Sequence, residues 1–225
     1  MREHCPCCGV DSARWKDWGP EPAMRNWFRC LMCGLVFNAE VSFPPPLSSI
    51  DLVGRCVVCK ALAERLLRRA ARWVRGRRLL DLSAACSHFA LRACELGWQA
   101  HHNDWNGSDS FDLIVIRQWL DRLAEPHEGA EAVRKKLRPG GLLVALGSNA
   151  ERFLANRASL PPAAGGSRLC NQWSAEAFTR LFGPYGIGGE YRISSKPAGY
   201  GVCHWAGAWR DLFVRIPMLE FIARG

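Results

Sequence analysis

Asp104-Trp105-Asn106-Gly107-Ser108-Asp109-Ser110-Phe111-Asp112-Leu113-Ile114-Val115-Ile116 decides how this chain folds. The stretch from Phe111 to Ile116, apolar throughout after Asp112, reads as a buried strand. Upstream, Trp98 to Asp104 has room for another. Only residues 105–110, six in all, join them. A helical crossover between parallel strands takes at least about a dozen residues. Extended chain covers at most about 3.3–3.6 Å per residue, so this link reaches roughly 20–25 Å. That is enough to run back along one strand and over one neighbour at a spacing of about 4.8 Å. Both strands can therefore belong to one sheet with no helix between them.

The rest of the pattern follows outward. Leu79-Leu80-Asp81-Leu82 is a short apolar run and reads as a buried first strand. Ser83-Ala84-Ala85-Cys86-Ser87 makes a small-residue turn, and Phe89 to Leu96 reads as a helix ended by Gly97. After the Phe111 strand a helix ends at Leu137. Arg138-Pro139-Gly140-Gly141 reads as a turn, and Leu142 to Leu146 as another strand. Strands alternating with helices in this way indicate a parallel α/β sheet.

Two knuckle sequences precede this half: Cys5-Pro6-Cys7-Cys8-Gly9 and Cys30-Leu31-Met32-Cys33-Gly34. In each, two thiolates sit on a tight turn and the glycine lets the backbone bend back around a metal. Cys5, Cys8, Cys30 and Cys33 supply four sulfurs for a closed, structural zinc site without an open catalytic position. Cys7 is either a bystander or a replacement for Cys5. The segment between the knuckles is too short for its own core, so metal would supply much of its folding energy. Eleven cysteines, an odd number clustered in pairs, fit metal binding in a reducing compartment better than a disulfide scaffold. A further pair, Cys56 and Cys59, shares one helical face and is open to either packing or metal binding.

Composition excludes several classes. With 48% hydrophobic and 23% charged residues the chain is not globally disordered. No apolar run has the length of a membrane span. Met1-Arg2-Glu3-His4-Cys5 lacks an apolar signal core, so a cytoplasmic protein is expected. The formal charge is +9, much of it from Arg65, Arg68, Arg69, Arg72, Arg75, Arg77 and Arg78. Leu62, Leu66, Ala70 and Trp73 recur there at helical spacing, which predicts an amphipathic helix with an arginine face. Such a face is either a solvated surface or a contact for RNA, another polyanion or an acidic partner. The expected organisation is a zinc-ribbon module over 1–45, a basic helical linker over 46–78 and an α/β domain over 79–225.

The run from Phe111-Asp112-Leu113-Ile114-Val115 through Trp119-Leu120-Asp121-Arg122-Leu123-Ala124-Glu125-Pro126 to Leu137-Arg138-Pro139-Gly140-Gly141-Leu142-Leu143-Val144 resembles the second half of a class I S-adenosylmethionine (SAM)-dependent methyltransferase. Asp81 with its small-residue turn is similar to the family's first motif. Cys33-Gly34-Leu35-Val36-Phe37 closes a segment resembling the zinc module found ahead of bacterial sugar C-methyltransferases. Asn171-Gln172-Trp173-Ser174-Ala175-Glu176-Ala177-Phe178 resembles the opening of the helix after the fifth strand, and Leu219 to Ala223 the last strand. The resemblance implies a Rossmann-like methyltransferase sheet lacking one helix–strand unit, the unit that residues 105–110 are too few to form. It implies cofactor contacts at Asp81, Ser83, Ala85 and Asp104, the last toward the ribose hydroxyls.

The sequence also departs from that family. Ser83, Ala85 and Ser87 stand where glycines let the backbone approach the cofactor. The missing unit carries the adenine-facing residue, so the pocket is expected to be open there. Asp121 and Arg122 replace a glutamate and a histidine, and Arg168, Leu169 and Cys170 lie where a later histidine is often found. No catalytic base is assigned; His88 is the one local candidate. Three functions are in contention: a catalytically impaired methyltransferase-like protein serving as a partner-binding platform, an active enzyme on a small-molecule or sugar-like acceptor, and an RNA- or ribosome-associated zinc factor. Trp205 and Trp209 are candidate interface anchors, and the stretch around Pro161-Pro162 and Gly165-Gly166 a candidate lid.

Overall fold

The structure is a computed structural model that describes residues 3–11, 13, 15–17, 27–39, 57–83, 87–104, 109–117, 119–150, 171–193 and 218–224. Ala85, Cys56, Trp205, Trp209 and the stretch from Pro161 to Cys170 lie outside them. The described residues form two sheets. In the first, strands β1 (Trp15–Asp17), β2 (Trp27–Cys30) and β3 (Val36–Asn38) are antiparallel and are joined by β8 (Asn171–Gln172) from the far half of the sequence. The second contains β4 (Arg78–Ser83), β5 (Gln99–His102), β6 (Phe111–Arg117), β7 (Leu137–Ser148), β9 (Gly188–Ile193) and β10 (Met218–Arg224) in the order β5-β4-β6-β7-β10-β9. β5, β4, β6 and β7 are parallel, and β10 runs antiparallel to both of its neighbours.

The expected strands are present as β4, β5, β6, β7 and β10. β5 lies at the edge with β4 between it and β6, and no strand lies beyond β5 among the described residues. Every residue of β6 is buried, as a central parallel strand covered on both faces requires. Alternation divides the core. Leu79, Leu113, Val115, Leu142 and Val144 face helices α1 (Val57–Ala70) and α2 (His88–Glu95). Leu80, Leu82, Ile114, Ile116, Leu143 and Ala145 face α3 (Pro126–Lys136), α4 (Ala175–Phe182) and the cysteine-bearing sheet. α3 starts with Pro126, which has no N–H to leave unpaired, and ends in Arg134, Lys135 and Lys136, favourably placed on the helix dipole.

The amphipathic expectation for α1 holds through Ala63, Leu66, Leu67 and Ala70, all buried. It fails at Trp73: the helix ends at Ala70, and Trp73 sits in the following turn with 47% of its surface exposed. The turn from Arg138 to Gly141 is also absorbed into β7, as an irregularity in its pairing with β6 between Phe111 and Leu113.

Gly76, just before β4, shows how closely that corner is packed. A Cβ there would lie 2.1 Å from Asp112 Oδ2. That oxygen accepts from the Arg78 N–H at 2.9 Å, and Oδ1 accepts from Arg138 Nη1 at 3.0 Å, so the carboxylate has no room to swing away. Gly76→Ala should cost about 1–3 kcal/mol, lowering Tm by roughly 2–12 °C. Gly183→Ala, where nothing lies within 4 Å of the added atom, is the control for a thermal melt.

Candidate functional site

Two clusters of polar chemistry flank α2 and α4. The first is the cysteine cluster. Each knuckle closes in the same way: Cys5 N–H donates to Val10 O at 2.8 Å and Gly9 N–H to Cys5 O at 2.9 Å, while Cys30 N–H donates to Leu35 O and Gly34 N–H to Cys30 O, both at 2.9 Å. Gly9 and Gly34 have φ of 71° and 73°, which turns each chain back on itself. The sulfurs of Cys5, Cys8, Cys30 and Cys33 all lie within 4.8 Å of one another, with Cys5–Cys33 at 3.8 Å and Cys8–Cys30 at 3.5 Å. A tetrahedral zinc with bonds of about 2.3 Å asks for sulfurs about 3.8 Å apart. The residues therefore fit a zinc ion.

The thiol electrostatics agree. The hydrogen bond with Cys33, followed by burial, pushes Cys5 well above the ordinary thiol range, and burial pushes Cys8 up to about 11. Cys33 also moves up: the bond with Cys5 pulls it down, but Cys7 and burial outweigh that. Cys30 alone is lowered, because backbone donors from Cys33 and Met32 and its sulfur neighbours overcome burial. Four thiolates at this spacing need a cation.

Cys7 lies outside the group of four sulfurs that share metal spacing. Its buried sulfur donates to Ala177 O at 3.1 Å, on α4. Beside it Ser174 caps α4 by accepting from Ala177 N–H at 3.0 Å and donates its own hydroxyl to Cys33 O. Both knuckles are thus tied to the helix whose preceding strand, β8, completes their sheet. Among the described residues no second cysteine–histidine cluster has metal spacing, and Cys94 is exposed.

The second cluster lies at the carboxyl ends of β4, β5 and β6, where doubly wound α/β sheets bind ligands. Parallel register sets Asp81 opposite His102 on one side and Val115 on the other, and Ser83 opposite Arg117. Arg117 therefore projects on the same face as Asp81, two residues further along. Arg117 Nε donates to Asp81 Oδ1 at 3.0 Å and Nη2 to Oδ2 at 2.9 Å, a fork-to-fork pair. His102 Nδ1 lies 3.1 Å from Oδ2. Asp81 is fully buried and Arg117 nearly so, with its guanidinium 5.0 Å from the Phe89 ring of α2. Burial alone would push the Asp81 carboxyl up; the Arg117 guanidinium and His102 outweigh it and hold the group below the usual carboxylate range.

The neighbouring backbone is engaged as well. Asn103, in the left-handed region at φ 52°, accepts from Ser83 N–H through Oδ1 and donates to Ser83 O through Nδ2, both at 2.9 Å. Asp104 stands just beyond, its side chain about half exposed, 3.7 Å from His101 Nδ1. Asp81 and Ser83 both lie at this end of β4, whereas Asp104 faces outward. His88 opens α2, and its Nδ1 is buried with no hydrogen-bond partner among the described residues. Further along the same edge, Asp121 is fully buried and accepts from Trp173 Nε1 at 2.9 Å, and Asn171 Nδ2 donates to Leu120 O and Leu123 O.

Sequence reading missed Arg117, Asn103 and Trp173. Arg117 had a signal: it is the single cation closing a strand that is apolar from Leu113 to Ile116. The Asp81 carboxylate is satisfied by Arg117 and His102, and the Ser83 amide by Asn103; residues 84–86 and 105–108, which follow β4 and β5 at this end of the sheet, lie outside the described residues.

No family model matches the chain, and no curated protein matches its sequence. Solved structures do resemble it. One is a SAM-dependent methyltransferase from Thermotoga maritima, at 12% identity and TM-score 0.45 over 75% of this chain and 91% of that one. Another is the N-methyltransferase NodS from Bradyrhizobium japonicum WM9, at 16% identity and TM-score 0.44 over 75% and 96%. A third is the glycopeptide N-methyltransferase MtfA complexed with SAM, at 14% identity and TM-score 0.48 over 73% and 86%. At these values none decides a function. The assignment to a mixed α/β fold with a mostly parallel sheet rests on the strand order itself.

Proposed function

We propose that this is a methyltransferase-like zinc protein in which SAM-dependent catalysis is impaired or lost, and that it works as a partner-binding or accessory subunit. The carrying observation is the Asp81–Arg117 pair. A buried, forked ion pair closes the point of the sheet where a nucleotide cofactor would sit, and opening it would leave a charge unpaired in a dry site. The edge strand β5 supports the same reading, since among the described residues no strand beyond it supplies a wall for the adenine. Zinc, held by Cys5, Cys8, Cys30 and Cys33, is structural: all four positions are protein sulfurs. A protein partner is the expected associate, and a polyanion is a second class that would meet the arginines of α1.

The competing reading is an active methyltransferase on a small-molecule or sugar-like acceptor. One observation favours it: Asp121, Asn149, Asn171 and Gln172 are buried polar residues along the same carboxyl edge, and the side-chain oxygens of Asn171 and Gln172 have no partner among the described residues. Calorimetric titration of zinc-loaded protein with SAM and S-adenosylhomocysteine separates the two. No binding heat is expected at micromolar ligand. A dissociation constant in the micromolar range for either nucleoside would overturn the impaired reading.

A further inference from the structure

Residues 57–78 hold seven arginines and one lysine against a single acid, Glu64. Glu64 is already engaged from outside the segment: Arg92 Nε on α2 donates to it at 3.0 Å, whereas Arg68 of the same helix comes only within 4.0 Å. Arg78 is paired with Asp109 at 2.8 Å. Arg65, Arg68, Arg72, Arg75 and Arg77 are exposed along α1 and the turn after it, with the Arg77 guanidinium 5.3 Å from the Trp98 ring, and make a strip in which positive charge outnumbers the segment's own acid seven to one, lysine apart.

Trp73 stands in the middle of that strip. Trp27, Trp98 and Trp173 are buried, but Trp73 is 47% exposed. With Arg69 it borders a groove whose floor is Leu66, Ala70, Leu142, Val144 and Ile222. An accessible indole beside guanidinium groups is a platform on which an unstacked base can lie while the arginines meet its phosphates. A duplex hides its base faces and would use only the charge. A membrane surface fits poorly, because Ala63, Leu66, Leu67 and Ala70, the apolar face of α1, are buried against the protein and cannot insert.

We infer that Trp73 and the exposed arginines of residues 65–77 form a binding surface for single-stranded nucleic acid. This deepens the polyanion reading above and is independent of the cofactor reading.

The test is fluorescence anisotropy of the zinc-loaded full chain with labelled 16-nucleotide oligouridylate, oligothymidylate of equal length, an RNA duplex of 16 base pairs and labelled polyglutamate, between 50 and 200 mM salt. Single strands should bind more tightly than duplex or polyglutamate. Affinity should fall with salt at a slope of about −0.7 per phosphate contacted. The RNA and DNA arms identify which strand chemistry is preferred. Trp73→Ala should weaken single-strand binding by about 5- to 100-fold without changing the slope, and Trp73→Phe, which keeps a ring, should restore most of the loss. Arg68→Gln with Arg72→Gln should lower affinity and slope together. If polyglutamate or duplex binds as tightly, or Trp73→Ala retains full affinity, the stacking surface is overturned and only the polyanion reading stands. If none of these polymers binds at 50 mM salt, both fall.

Discussion

Cys30→Ser should lose most of its zinc and, with it, the order of the cysteine-bearing sheet and of α4. The effect is expected to be large because structural zinc contributes about 10–16 kcal/mol when bound by small modules of this kind. Three remaining thiolates leave a tetrahedron open, and the backbone donors that hold the Cys30 sulfur lose their charged acceptor. The damage should spread beyond the knuckles by a defined route. Cys33 O accepts the Ser174 hydroxyl, Cys7 donates to Ala177 O, and β3 pairs with β8 through Val36–Gln172 and Phe37–Asn171. Trp173, stacked on Phe178 at 4.7 Å and bonded to Asp121, lies at the end of that route. Metal analysis of purified protein should give about one zinc per wild-type chain and well under half that in the variant. Tryptophan emission should shift to the red, and the amides of Gly34 and Ala177 should exchange faster. A variant that keeps its zinc and its melting temperature would show that the four sulfurs are packing groups.

The second large effect is expected at Arg117. Arg117→Met removes the guanidinium from a carboxylate with no exposed surface, and breaking one side of a buried pair costs about 3–5 kcal/mol. For a chain of 225 residues that corresponds to a fall in Tm of roughly 6–20 °C at neutral pH. The pH dependence carries the signature. In the wild type the Asp81 pKa is depressed below its unfolded value of about 3.9, so its contribution is present above that value and is lost as pH falls through the folded pKa. In the variant, burial without Arg117 raises the same pKa, so Asp81 destabilises at neutral pH and recovers on protonation. The gap between the two proteins should therefore be widest near neutrality and narrow below about pH 4. Asp81→Leu combined with Arg117→Met should regain much of the loss, since no lone charge remains. A gap that is constant from pH 3 to pH 7 would mean the pair contributes only shape. If the single variant binds SAM where the wild type does not, the pair is what closes the cofactor position.

Much of this architecture was legible before any coordinates. Apolar periodicity marked β4, β6, β7 and α2 because burial on one or two faces is written locally, residue by residue. Chain length alone ruled out a helix and a further strand between β5 and β6, since six residues cannot hold them. Ligand spacing named Cys5, Cys8, Cys30 and Cys33, because a metal imposes a short-range geometry on its knuckles. The stripe through Trp73 misled because periodicity does not announce where a helix stops.

What sequence by itself determined, then, is whatever short-range sterics and reach decide: which segments are strands, which link is too short for a helix, and which cysteines share a turn. What only the tertiary structure decided are pairings between distant segments. Arg117 meets Asp81 across 36 positions, Cys7 meets Ala177 across 170, and β8 joins β3 rather than standing with the α/β sheet. Each depends on parallel register or on sheet-to-helix packing, which fix a side chain's neighbours only after the whole core has closed.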